Sequence, residues 1–212
     1  IRINTNPRAT SVLCFGDSNT HGTKPDGFGR YAADERWTGK LQDKLGPSFY
    51  IIEEGLGGRT TNLEHPRTEK PGRNGLSYFR SCLESHNPLD IVAIMLGTND
   101  FKNVYDRSAA EVAKVLGQYV DSVEEISNNA KIILISPSYI TATDPIEYYD
   151  DKSEKKSREL AHEIGPLAER RNVLFIDAAK IVKTGEDGLH WEISSNEKFA
   201  EILSQAIRSV KK

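Results

Sequence analysis

Five short apolar runs punctuate the chain, and a stretch with helical character stands between nearly every run and the next. The runs are residues 11–15 (SVLCF), 49–52 (FYII), 89–96 (LDIVAIML), 131–136 (KIILIS) and 173–176 (VLFI). Apolar runs of about four to eight residues, bounded by Gly, Pro or polar residues, read as strands buried on both faces. The intervening stretches carry the other period. Residues 36–45 place Trp37, Leu41 and Leu45 four apart and stop at Gly46-Pro47. Residues 108–127 line up Ala109, Val112, Val115, Leu116, Tyr119, Val123 and Ile126 on one helical face. Shorter or more charged helices are expected over 78–84, 144–170 and 194–210.

Strands that alternate with helices require a parallel sheet covered on both sides. The expected fold class is α/β, a flavodoxin-like three-layer sandwich around a parallel five-stranded sheet of order 2-1-3-4-5. A chain of 212 residues can bury a full core. No repeat or linker divides it, so residues 11–212 are expected to form a single domain behind a polar N-terminal arm, 1–10.

Composition excludes several function classes. The net charge is −3, which argues against nucleic acid or an anionic membrane as partner. The longest purely apolar run, 91–96, is far short of the roughly 18 residues a spanning helix needs. Cys14 and Cys82 are too few for a disulfide scaffold or a zinc cage. No basic start followed by an apolar segment is visible, so a cytoplasmic location is expected, although the chain begins at Ile1 without Met and a segment removed upstream is compatible with that.

In a sheet of this kind, sites form at the carboxyl ends of the strands. Four polar segments fall there: Gly16-Asp-Ser-Asn-Thr20, Gly55-Leu-Gly-Gly-Arg-Thr60, Gly97-Thr-Asn-Asp100 and Asp187-Gly-Leu-His190. A carboxylate three residues before an imidazole can fold back onto its ring, fix the tautomer and steady the imidazolium. Taken singly, each segment has a plainer reading. Ser18 and Asn99 could cap helices, Gly57-Gly58 could be a tight turn, and Asp187 and His190 could be ordinary loop residues. Ser18 does not sit in a Gly-x-Ser-x-Gly elbow, because Thr20 takes the second glycine position.

Jointly the four segments resemble, in order, the four blocks of the SGNH (GDSL) hydrolase superfamily. VLCFGDSNTHG, EEGLGGRTTN, LDIVAIMLGTNDFK and DGLHWE are most similar to its bacterial arylesterase and acyltransferase branch, and the resemblance runs from about Val12 to the last helix. It implies the SGNH hydrolase fold, with Ser18 as nucleophile, His190 as general base and Asp187 as its orienter. It implies an oxyanion hole of Ser18 N–H, Gly58 N–H and the Asn99 side chain. Asn19, His21, Thr98, Leu189 and Trp191 are the candidate substrate contacts. Asn19 stands where most of the superfamily has Leu, and His21 where this branch often has Trp.

The activity implied is that of a serine esterase on short, acetyl-like esters of aryl, alkyl or sugar alcohols, with acyl transfer to alcohols as a variant. The expected partner is therefore a small-molecule ester, with no cofactor and no metal. The resemblance also implies a homo-oligomer whose loops narrow the channel, with 65–75 and 138–150 as the loops concerned. Two other classes remain open on the residues alone. One is a metal-dependent phosphoesterase using Asp17, Asp100, Asp187 and His190; the other is a flavodoxin-like binding module without catalysis. The glycine loop fails the G-x-G-x-x-G pattern at Thr60.

Overall fold

The computed structural model describes residues 5–141 and 148–210. Strands β1 (Thr10–Gly16), β2 (Phe49–Gly55), β3 (Ile91–Met95), β4 (Lys131–Ser136) and β5 (Leu174–Asp177) form one sheet of order β2-β1-β3-β4-β5. Every neighbouring pair is parallel. The helices are α1 (Ser18–His21), α2 (Trp37–Leu45), α3 (Gly75–His86), α4 (Ala109–Ile126), α5 (Asp151–Arg171) and α6 (Ile193–Val210). Among the described residues, no helix is long and apolar enough to cross a membrane.

The period of two along each strand divides the core. Leu13, Phe15, Val92, Ile94, Ile132 and Leu134 face one side and pack with residues of α3, α4 and α5. Val12, Cys14, Ile91, Ala93, Met95, Ile133 and Ile135 face the other and pack with α2 and α6. On that second side Phe199 makes edge contacts with Trp37 and Trp191, at centroid distances of 5.2 and 4.9 Å. Such pairs contribute about 0.5–1.5 kcal/mol each beyond their buried area.

Element boundaries shift where polar side chains find partners. β2 continues through Glu53 and Glu54 to Gly55 because both carboxylates are paired, Glu53 with Arg30 and Arg36, and Glu54 with His86. α5 starts at Asp151, later than the helix expected over 144–170. The cause is a reciprocal cap: Asp150 accepts from the Ser153 N–H at 3.0 Å while its own N–H donates to Ser153 Oγ at 3.2 Å. The residues 144–147 of that expected helix lie outside the described residues, as do residues 142–147 of the second loop suspected of narrowing a channel.

Strand order reverses between β1 and β3. There Gly16 is in register with Met95, and the crevice beyond them is the topological switch point. Ser18 leaves the end of β1, and Thr98–Phe101, a 3₁₀ turn, leaves the end of β3.

Candidate active site

Ser18 opens the helical turn α1. Asp17 caps it, its Oδ1 accepting from the Asn19 N–H at 3.0 Å. As the first residue of the turn, Ser18 has an N–H with no partner inside it. Its side chain remains partly exposed while Asp17, Asn19 and Thr20 are buried. Burial pushes the Asp17 carboxyl up, against the opposing effects of the Asn19 N–H, His190 and Lys102.

The loop 187–190 folds on itself as the spacing implies. Asp187 Oδ1 accepts from the N–H groups of Leu189 and His190, each at 2.9 Å, and Oδ2 meets His190 Nδ1 at 2.5 Å. Gly188 makes this turn possible. Its φ is +66°, and a Cβ there would lie 1.8 Å from the Thr141 carbonyl oxygen. Burial raises the Asp187 carboxyl, but the hydrogen bond and charge of His190, with the two N–H groups, outweigh it and hold the acid below its ordinary value. A carboxylate on Nδ1 leaves Nε2 as the nitrogen free to take a proton. No hydrogen bond joins the Ser18 hydroxyl to His190 among the described residues. Catalytic hydrogen bonds often tighten only with substrate in place.

Asn19 joins these two segments. Its Nδ2 donates to the Leu189 carbonyl and its Oδ1 accepts from the Trp191 N–H, both at 3.1 Å. The residue after Ser18 therefore grips the main chain on either side of His190.

The glycine loop sits beside them. Leu56 N–H bonds to Gly16 O and Arg59 N–H to Leu56 O, which leaves the Gly58 N–H unused among the described residues. Gly58 has φ +80°, and His65 lies against it. The buried Arg59 guanidinium donates to the carbonyls of Gly16 and Glu54 and lies 4.1 Å from the centroid of the Phe15 ring. It ties the ends of β1 and β2 beneath the loop.

Asn99, on the 3₁₀ turn after β3, is 6% exposed. Its Oδ1 accepts from Lys102 Nζ and from the Tyr149 hydroxyl, the latter at 3.2 Å. Its Nδ2 is buried without a protein acceptor. Asp100 ties this turn to the glycine loop. Its two oxygens accept from the Thr61 N–H at 2.9 Å and the Thr61 hydroxyl at 2.5 Å, and Arg107 lies at 3.3 Å. Burial raises the Asp100 carboxyl to about 6 against these contacts.

Not every expected contact faces a substrate. Trp191 is 1% exposed and donates from Nε1 to Ser138 Oγ, so it is a core residue. Asn19 is likewise committed to the main chain. His21 turns its ring to Thr23, with Arg30 and Glu53 as its nearer charged neighbours and His190 a weaker one. Thr98 is buried near Asp17, its hydroxyl without a hydrogen-bond partner among the described residues, and Leu189 is half-buried against the core. His162 lies on the exposed face of α5, while His86 pairs with Glu54.

The four residues of the phosphoesterase alternative do not gather. Asp100 points to Thr61 and Arg107, and Asp187 to His190. The metal-type grouping among the described residues is Glu54, Cys82 and His86, elsewhere at the edge of β2. There burial, and after it the Glu54 carboxylate, push the Cys82 thiol up to about 12 against the lowering effects of Tyr78 and the Arg59 charge. That keeps the thiol protonated, a poor metal ligand. A cleft of about 450 Å³ between α4 and α5 is lined by Asp121, Glu163, Arg170 and Arg171 and contains none of the strand-end residues.

Sequence reasoning missed Lys102, Tyr149 and the linking role of Asn19. Lys102 had a signal, since residues three apart eclipse on a 3₁₀ turn. Tyr149 had none, being distant in sequence from Asn99, which it serves.

The model of the GDSL-like lipase/acylhydrolase family matches residues 14–196. No curated protein matches the chain by sequence. The native aryl esterase of M. smegmatis is 38% identical over 95% of this chain and 99% of its own, with a TM-score of 0.84. Est24, a carbohydrate acetylesterase from Sinorhizobium meliloti, is 34% identical over 95% and 99%, with a TM-score of 0.86. A second carbohydrate acetylesterase family member from that organism is 30% identical over 94% and 98%, with a TM-score of 0.87. With its switch-point serine, its carboxylate–imidazole loop and these likenesses, the chain belongs to the GDSL-like lipase/acylhydrolase family, in the arylesterase branch of the SGNH hydrolases.

Proposed function

We propose that the chain is a serine esterase for short, acetyl-like esters of aryl, alkyl or sugar alcohols. Ser18 Oγ attacks the ester carbonyl carbon while His190 Nε2 takes its proton, and Asp187 steadies the imidazolium. The tetrahedral oxyanion accepts from Ser18 N–H, Gly58 N–H and Asn99 Nδ2. The C–O bond to the alcohol then breaks, and His190 returns the proton to that oxygen. Water attacks the acyl-Ser18 ester with His190 again as base, releasing the acid. An added alcohol in place of water receives the acyl group instead.

The observation that carries this reading is the Asn99 amide. Both neighbours of its carboxamide donate to Oδ1, so Nδ2 is left buried with no protein acceptor. An unsatisfied buried donor costs about 1–3 kcal/mol. Such a cost is retained where a partner arrives only with the charge that develops during reaction. The likeness to aryl esterases and carbohydrate acetylesterases supports the substrate class.

The test is hydrolysis of p-nitrophenyl acetate by the wild type, by the wild type with EDTA, and by Ser18→Ala. The wild type is expected to be active and indifferent to EDTA. Ser18→Ala is expected to melt like the wild type and to lose nearly all activity, whereas retention of more than a few per cent would contradict the mechanism. A panel of acetylated sugars, aryl acetates and longer acyl chains then sorts the substrates.

A further inference from the structure

Lys102 is an ammonium in a place where an apolar side chain would be cheaper. It is 4% exposed, and it has no ion pair among the described residues. Its direct hydrogen-bond partner is Asn99 Oδ1, and the Tyr149 ring lies 5.4 Å from Nζ. The charged and titratable groups that face it are Asp17 at the end of β1, Asp100 on its own turn, and Lys70 and His65 of the 65–75 loop. Taking an ammonium out of water without a paired carboxylate is costly.

We propose that Lys102 is a positioning residue for the oxyanion hole and acts through Asn99. An ammonium has three N–H donors and no acceptor, so the face of the Asn99 carboxamide that meets it must be the oxygen. The flip of the amide is thereby fixed, and Nδ2 is directed away, where it can donate. The positive charge of the ammonium beside Oδ1 also draws electron density from the amide and makes Nδ2–H a stronger donor. Tyr149 completes the arrangement with a second donor to the same oxygen. Burial raises the Tyr149 hydroxyl well above its usual range, so it remains a donor through neutral and mildly alkaline pH.

This inference rests on the esterase reading, and its test separates the two. Steady-state hydrolysis of p-nitrophenyl acetate is measured for wild type, Lys102→Met, Asn99→Ala and the double variant. Lys102→Met is expected to lower kcat about tenfold with KM within about twofold, and to melt no lower than the wild type, since a buried charge is removed. In the Asn99→Ala background the same change is expected to cost less than about twofold. A Lys102→Met protein with wild-type kcat would overturn the proposal. So would a tenfold loss that persists without Asn99, because Lys102 would then act by another route.

Should the methionine variant fail to fold, the wild-type pH profile decides. Burial lowers Lys102 to about 8, so kcat is expected to fall to a lower plateau above that pH in the wild type and not in Asn99→Ala. A wild-type profile that stays flat to pH 10 would overturn the proposal. Failure of the esterase reading would show separately, as activity in Ser18→Ala.

Discussion

Asn19 brackets His190: its side chain donates to the carbonyl of Leu189 and accepts from the N–H of Trp191, each at 3.1 Å. Because Asn19 follows Ser18, one carboxamide sets the distance between the first and the last functional segments, which are about 170 residues apart in sequence. Two backbone groups on the buried side of the 187–190 loop depend on it.

Replacing Asn19 by Leu, the residue common in the superfamily, is expected to be costly in this chain. Both backbone groups would lose their partner inside the protein, at about 1–3 kcal/mol each. Thermal melting should fall, and kcat should drop at least tenfold as the imidazole loses its register with Ser18. Circular dichroism melts and steady-state kinetics on the same preparation check this. A Leu variant with wild-type kcat would show that the loop holds His190 unaided.

In the proposed mechanism Asn99→Ala removes a donor, buried without an acceptor in the resting protein, that would meet the oxyanion in the transition state. The expected loss in kcat is about 10²–10³, as for single oxyanion donors elsewhere, with KM nearly unchanged. Asn99→Asp is expected to be at least as harmful, since one oxygen can meet Lys102 and Tyr149 while the other faces the developing negative charge. An active, stable Asp variant would mean that Asn99 serves only as a turn residue.

Asp100 makes stability depend on pH in the opposite sense to most paired carboxylates. Burial raises it to about 6 from an ordinary value of 3.8. The folded state therefore holds its proton more tightly than the unfolded chain. The resulting stabilisation is fully present below about pH 4 and is lost as pH rises through 6. Urea unfolding of wild type and Asp100→Asn between pH 4 and 7 reads the effect as a difference. The stability of the wild type relative to the variant should fall as pH rises. A difference that grows with pH would mean that Thr61 and Arg107 overcome the burial.

The alternation of apolar runs and helical stretches was enough to set a parallel sheet, because burial on both faces requires continuous apolar strands, and the flavodoxin-like order that five strands suggest is the one observed. It also put Ser18 and Asn99 at the ends of β1 and β3, where the order reverses. The Asp187–His190 contact was legible because it is local, closed by one glycine turn. Trp191 looked like a substrate contact from its place beside His190, yet its indole packs on Phe199 in the core. Adjacency along a loop does not say which face a side chain takes. The start of α5 was misread because charge and helix propensity continue upstream of Asp151, while the cap formed by Asp150 and Ser153 sets the boundary. Lys102, Tyr149 and Asn19 act through contacts that only the assembled strand ends create.

The most direct test of Ser18 as the nucleophile is covalent. The protein is incubated with a p-nitrophenyl phosphonate ester, which transfers its phosphonyl group to an activated hydroxyl and releases p-nitrophenol. Intact-mass measurement and peptide mapping then locate the adduct. The expected result is one phosphonyl group per chain, on Ser18, absent from Ser18→Ala and formed far more slowly in His190→Ala. An adduct on another residue, or full esterase activity that persists with no adduct formed, would contradict the mechanism.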